Sequence, residues 1–145
     1  MTKIEAMNQF VANLAVWSVK LHNIHWNVQG LQFMPVHKFT EELYDGAFEA
    51  YDDVAERIKI LGETPLSTMK DYLDGATIAE IAPKGFGIKE SLGIVKADLE
   101  LLKAQARAVR DLADKDGDVG TVSMFEDLEG DYAKNIWFLN AMLGA

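Results

Sequence analysis

The sequence predicts an all-α fold: a four-helix bundle with a short extra helix in the one long connection, between the second and third helices. Three observations predict it. Four long segments carry apolar residues at alternating steps of three and four, the spacing that lines one face of a helix. An apolar fraction of 49% in 145 residues suffices for the core of one domain spanning residues 1–145. Only one connection, residues 63–87, is long enough to cross a bundle.

The first stripe is Ile4, Met7, Val11, Leu14, Ser18, Leu21, His25 and Val28, and predicts a helix ending near Gly30. The second begins at Pro35 and runs through Val36, Leu43, Ala47, Ala50, Val54, Ile58 and Leu61 to a stop at Gly62. The third runs through Ile88, Leu92, Val95, Leu99, Leu102, Ala106, Val109 and Ala113. Phe125, Leu128, Tyr132, Ile136, Leu139 and Leu143 mark the fourth. Within the connection the stretch MKDYLDGATIAEI, residues 69–81, has the makings of a short helix. One long crossover between the second and third helices is a ferritin-like topology rather than an up-and-down meander.

Composition narrows the function. The chain has no cysteine, so any metal must be held by nitrogen and oxygen, and disulfides and thiolate nucleophiles are excluded. Lys and Arg number 14 against 23 Asp and Glu, a formal charge of −9. That field opposes nucleic-acid binding, which rests on cationic side chains displacing counterions, and neither end of the sequence carries a basic tail. DNA is therefore a disfavoured partner. The first residues, MTKIEAMNQF, lack a signal-peptide pattern, and no apolar run approaches the roughly 18 residues a membrane span needs; a cytoplasmic location is expected.

The second helix faces two ways. Counted from His37 at about 100° per residue, Glu41, Asp52 and Glu56 fall within about 100° of it, while the apolar stripe lies between about 220° and 300°. Tyr44, Phe48 and Ala55 sit among the carboxylates, which makes this a partner surface rather than a solvated stripe. Glu41 and Asp52 lie about 16 Å apart along the axis at 1.5 Å per residue, so one chain cannot bring both to one ion. A second copy packed antiparallel across a two-fold axis sets His37 against Glu56 and Glu41 against Asp52 in a single register, giving two equivalent sites per dimer. The turn VQGLQFMPV lets His25 approach His37. Two imidazoles with several carboxylates suit Fe(II) or Mn(II), and also Zn(II), better than Cu(I). Any one of these residues alone is more simply a packed or solvated side chain, with Arg57 at hand as an ion-pair partner; the constellation carries the reading. His22, one turn from His25, is assigned a structural or hydrogen-bonding role.

The stretches HWNVQGLQFMPVHKFTE, residues 25–41, and YDDVAERIKILGETP, residues 51–65, resemble the two signatures of the Dps family, the mini-ferritins. The resemblance extends over nearly the whole chain. It implies a hollow homododecamer built from two-fold dimers, with Fe(II) oxidised between subunits and stored inside as ferric mineral. On that resemblance His25, His37 and Glu41 come from one subunit and Asp52 and Glu56 from its mate. Hydrogen peroxide, in preference to dioxygen, is the implied oxidant, and protection from oxidative damage the implied role. Trp26 and Trp137 match family positions near the site, where they either help dispose of oxidising equivalents or pack at a helix interface. Position 41 is Glu where the family more commonly has Asp, and the basic terminal extension that many members use on DNA is absent.

The loop DKDGDVGTVSMFE, residues 114–126, imitates a calcium loop in its first five positions. Val119 then replaces the turn glycine and Glu126 arrives one residue late, so an EF-hand is set aside. By the same resemblance this neighbourhood helps form acidic three-fold pores, with Asp111, Asp114, Asp116, Asp118 and Glu126 as candidates to draw in Fe(II). A DNA-condensing module and a shell with a vestigial or zinc-holding site are the competing classes. An ordinary ferritin is disfavoured because no Glu-x-x-His pair occurs.

Overall fold

The computed structural model describes residues 1–144. Five helices follow in order: α1 Lys3–Asn27, α2 Phe33–Ile60, the short α3 Met69–Gly75, α4 Ile88–Lys115 and α5 Val119–Leu143. The described residues form no sheet, only an isolated parallel bridge between Val28 and Phe86. Helices α1 and α2 pair, as do α4 and α5, and α1 also packs against α4 and α3. The four long helices and the short helix in the crossover are the expected bundle.

Local chemistry sets the boundaries. Thr2 and Glu5 form a reciprocal capping box at the start of α1. Its end comes at Asn27 rather than near Gly30, because the chain leaves the helix to join the crossover: the Gln29 amide donates to the Phe86 carbonyl at 2.9 Å and the Phe86 amide to the Asn27 carbonyl at 3.1 Å. Gly30 then takes a φ of +140°, and a Cβ there would lie 2.7 Å from Ile88 Cγ1. Helix α2 starts two residues before Pro35, whose missing N–H is harmless in a first turn. Helix α5 starts at Val119, well before the first apolar stripe residue Phe125, since Asp118 caps it through the Thr121 amide.

Met7, Phe10, Leu14, Trp17, Leu21 and Ile24 of α1 meet Val54 and Ile58 of α2, Leu99 and Leu102 of α4, and Phe125 and Leu139 of α5 in the buried core. A buried polar residue ties the crossover to this core. Asn13 accepts from the Thr77 and Ile78 amides at 2.7 and 2.9 Å and donates to Thr77 Oγ1 and Gln105 Oε1. Two loop amides thus gain the partner that burial would otherwise deny them.

Candidate metal centre

The end of α1 and the first turns of α2 bring His25 and His37 face to face, ring centroids 3.6 Å apart and planes 12° from parallel. Each fixes the other. The His25 Nδ1–H donates to the His37 carbonyl at 2.6 Å and the His37 Nδ1–H to the His25 carbonyl at 2.8 Å. A carbonyl only accepts, so both imidazoles carry a proton on Nδ1, which leaves Nε2 as the atom that can meet another partner. This is the arrangement in which a backbone carbonyl orients a metal-binding histidine. Buried Thr40 lies 3.2 Å from His25 Nδ1 and donates to the Val36 carbonyl, holding the first turn of α2 against the ring. His25 is only 5% exposed, and burial pulls its pKa below the ordinary value. It is accordingly neutral at neutral pH, the form a cation requires.

One turn further along α2, Tyr44 donates to Glu41 Oε1 at 3.4 Å. Its ring stacks on His22 at 3.8 Å and meets the His25 ring edge-on at 5.2 Å. The His22 Nδ1–H donates to the Ser18 carbonyl one turn back at 2.6 Å, in keeping with its structural assignment.

Asp52 and Glu56 do not join this group within one chain. With Asp53 they form a separate exposed cluster whose ligand oxygens all lie within 4.8 Å of one another. The Asp52 charge, first among the causes, and a hydrogen bond with Asp52 push the Glu56 carboxyl above its ordinary pKa. Such like-charge crowding is relieved by a bound cation. The α2 face between the histidine pair and the acidic cluster is exposed at Phe48 and half-covered at Tyr44, Tyr51 and Ala55, so the exposed side of the helix carries aromatic surface.

The acidic turn between α4 and α5 divides. Asp111, Asp114, Asp116 and Glu126 have side chains more than half exposed, with Arg110 among three of them. Asp118 is different: its side chain is 9% exposed and binds Lys3 at 3.0 Å and Arg57 at 2.7 Å. It ties three helix ends together and is not free for a pore. Because residues from Val119 onward are helical, no calcium loop forms here. Trp26 and Trp137 are 68% and 64% exposed, beside His22 and Phe138 respectively.

The expected site residues fall in two places: His25 and His37 pair at the junction of α1 and α2 with Glu41 one turn along α2, and Asp52 and Glu56 lie in the exposed acidic cluster. Sequence reasoning did not foresee Asp53 as a third carboxylate or Thr40 beside His25. Tyr44 was legible on the helical wheel, three residues from Glu41, though not its hydrogen bond.

The ferritin-like domain family matches residues 4–145. The DNA protection during starvation protein of Helicobacter pylori strain J99 is 35% identical over 143 residues, covering 99% of both chains. The chain belongs to the Dps family. Antigen TpF1 of Treponema pallidum is 38% identical over 141 residues, 97% of this chain and 80% of that one. The crystal structure of TpF1 superposes with a TM-score of 0.96 over 99% of this chain and 92% of that one. The X-ray structure of Dps from Listeria monocytogenes, 34% identical, does so with a TM-score of 0.96 over 99% and 94%. Membership of the Dps family implies iron sequestration and protection under stress. No helix among the described residues is long and apolar enough to cross a membrane.

Proposed function

We propose that this Dps-family chain, a single domain, is a ferroxidase and iron store of the cytoplasm. It forms a hollow dodecamer in which Fe(II) is oxidised at sites between two-fold-related subunits and kept as ferric mineral. His25, His37 and Glu41 of one subunit and Asp52 and Glu56 of its mate hold the iron. Hydrogen peroxide is the preferred oxidant and dioxygen the alternative. Removing Fe(II) and peroxide together suppresses hydroxyl-radical formation and so protects against oxidative damage. DNA binding is no part of this reading, given the charge of −9.

The observation that carries the reading is the reciprocal histidine pair. Two imidazoles whose Nδ1–H groups both donate to carbonyls, ring centroids 3.6 Å apart, leave both Nε2 atoms as the ligand donors. Carboxylates stabilise the ferric product over Fe(II) because they add negative charge, which favours oxidation at the site. The protein's part is to place and orient these donors; iron and peroxide carry the electron chemistry. Zn(II) fits the same donors and would compete.

A mixing experiment tests the inter-subunit assignment. Subunits carrying His25→Ala and His37→Ala, and subunits carrying Asp52→Ala and Glu56→Ala, are each expected to lose iron oxidation. Co-assembled in equal amounts they regenerate intact sites in mixed dimers, and about a quarter of the wild-type rate returns. If mixing restores nothing while both variants assemble, the donors do not meet across a two-fold axis.

A further inference from the structure

An imidazole serves as a metal ligand when one ring nitrogen is held and the other is left to reach the ion. The two histidines of the pair are held differently. His37 is half-buried, and its Nδ1–H meets the His25 carbonyl at 2.8 Å. His25 is buried, and its Nδ1 edge meets two oxygens: the His37 carbonyl at 2.6 Å and Thr40 Oγ1 at 3.2 Å.

Thr40 suits that place through its hydroxyl. The side chain is buried, and its proton goes back along α2 to the Val36 carbonyl at 2.9 Å or the His37 carbonyl at 3.0 Å. With that proton committed to the backbone, the oxygen is left to accept from His25. A second acceptor matters here because the His37 carbonyl is shared: in an α-helix it also receives the amide four residues on, that of Glu41. Turning the His25 ring over would set a C–H against both oxygens. Moving its proton to Nε2 would set a bare nitrogen against the His37 carbonyl. Either change leaves buried polar atoms unpaired.

We propose that Thr40 is a positioning residue for metal binding: its hydroxyl completes a two-oxygen seat that holds His25 with Nδ1 protonated and Nε2 as the ligand atom. The inference rests on the reading of His25 as a metal ligand. The hydroxyl carries the role and the methyl does not, so two substitutions separate them. Valine keeps the shape and loses the hydroxyl; serine keeps the hydroxyl and loses the methyl. Loss of such an outer partner costs a metal site roughly ten- to a hundredfold in affinity, and because the His37 carbonyl remains, the lower end is expected.

The test titrates Zn(II), a redox-silent probe, into assembled apo-protein by calorimetry, following the binding step that His25→Ala abolishes. Nitrogen NMR of labelled histidine, with the His25 signals assigned by their absence in His25→Ala, reads the tautomer in the apo-protein. Thr40→Val is expected to bind Zn(II) roughly tenfold more weakly in that step and to show His25 partly protonated on Nε2. Thr40→Ser is expected to match the wild type in both. Unchanged Zn(II) affinity or unchanged His25 signals in Thr40→Val, or an equal loss in Thr40→Ser, would overturn the inference. Zn(II) binding that His25→Ala leaves intact would instead overturn the metal-site reading beneath it.

Discussion

Asp118 gives the sharpest test of how the bundle holds its shape. Its carboxylate receives the Lys3 ammonium from α1, the Arg57 guanidinium from the end of α2, and the Thr121 amide and hydroxyl from α5. Burial alone would raise its pKa. The hydrogen bonds from Thr121, Lys3 and Arg57 outweigh burial and hold it far below the ordinary carboxylate range. Asp118→Asn keeps a good helix cap and removes the charge, so the loss is that of two charge-assisted hydrogen bonds from half-shielded cations, roughly 2–3 kcal/mol. Asp118→Ala also loses the cap and is expected to cost about 1 kcal/mol more. Because the folded-state pKa is depressed, this stabilisation is fully present above the unfolded value near 4 and is lost as pH falls through the folded one. Urea unfolding at fixed protein concentration, at neutral pH and again in acid, reads both effects; fixed concentration is needed because assembly adds stability by mass action. The gap between wild type and Asp118→Asn should narrow in acid. A gap below about 0.5 kcal/mol at neutral pH, or one that does not change with pH, would refute the three-helix tie.

Two further outcomes follow from the same structure. Asn13→Ala strips two loop amides of their acceptor, and a stability loss of roughly 2–4 kcal/mol is expected by the same urea assay, with faster hydrogen exchange at Thr77 and Ile78. Glu56 in the apo-protein should take up its proton at a pH above the ordinary value of 4.5, since the Asp52 charge opposes its ionisation. Carbon NMR of labelled glutamate should show that midpoint, and Asp52→Asn should bring it down; for a cation held there, affinity falls as pH drops through this raised pKa.

The candidate site could be drawn from the sequence because a long helix turns spacing into geometry: His37, Glu41, Asp52 and Glu56 needed only the 3.6-residue period to share a face opposite Val54 and Ile58. The bundle was legible for the same reason. What escaped depended on contacts between segments distant in sequence. The early end of α1 follows from backbone pairing with Phe86, and the early start of α5 from a cap at Asp118, which lies in a turn with no apolar rhythm. The fate of Asp118 could not be read from its acidic neighbours, because Lys3 is 115 residues away. The reciprocal histidine bonds likewise required the course of the turn between residues 28 and 32, which spacing does not give.

The most direct measurement is to load apo-protein with Fe(II) under anaerobic conditions, add hydrogen peroxide, follow ferric absorbance, and pass the product over a sizing column. Rapid oxidation with iron eluting in a particle of about twelve subunits is the result expected of a ferroxidase and store. Oxidation no faster than in buffer, with iron precipitating outside the protein, would contradict it and leave the histidine pair as a relic or another metal's site.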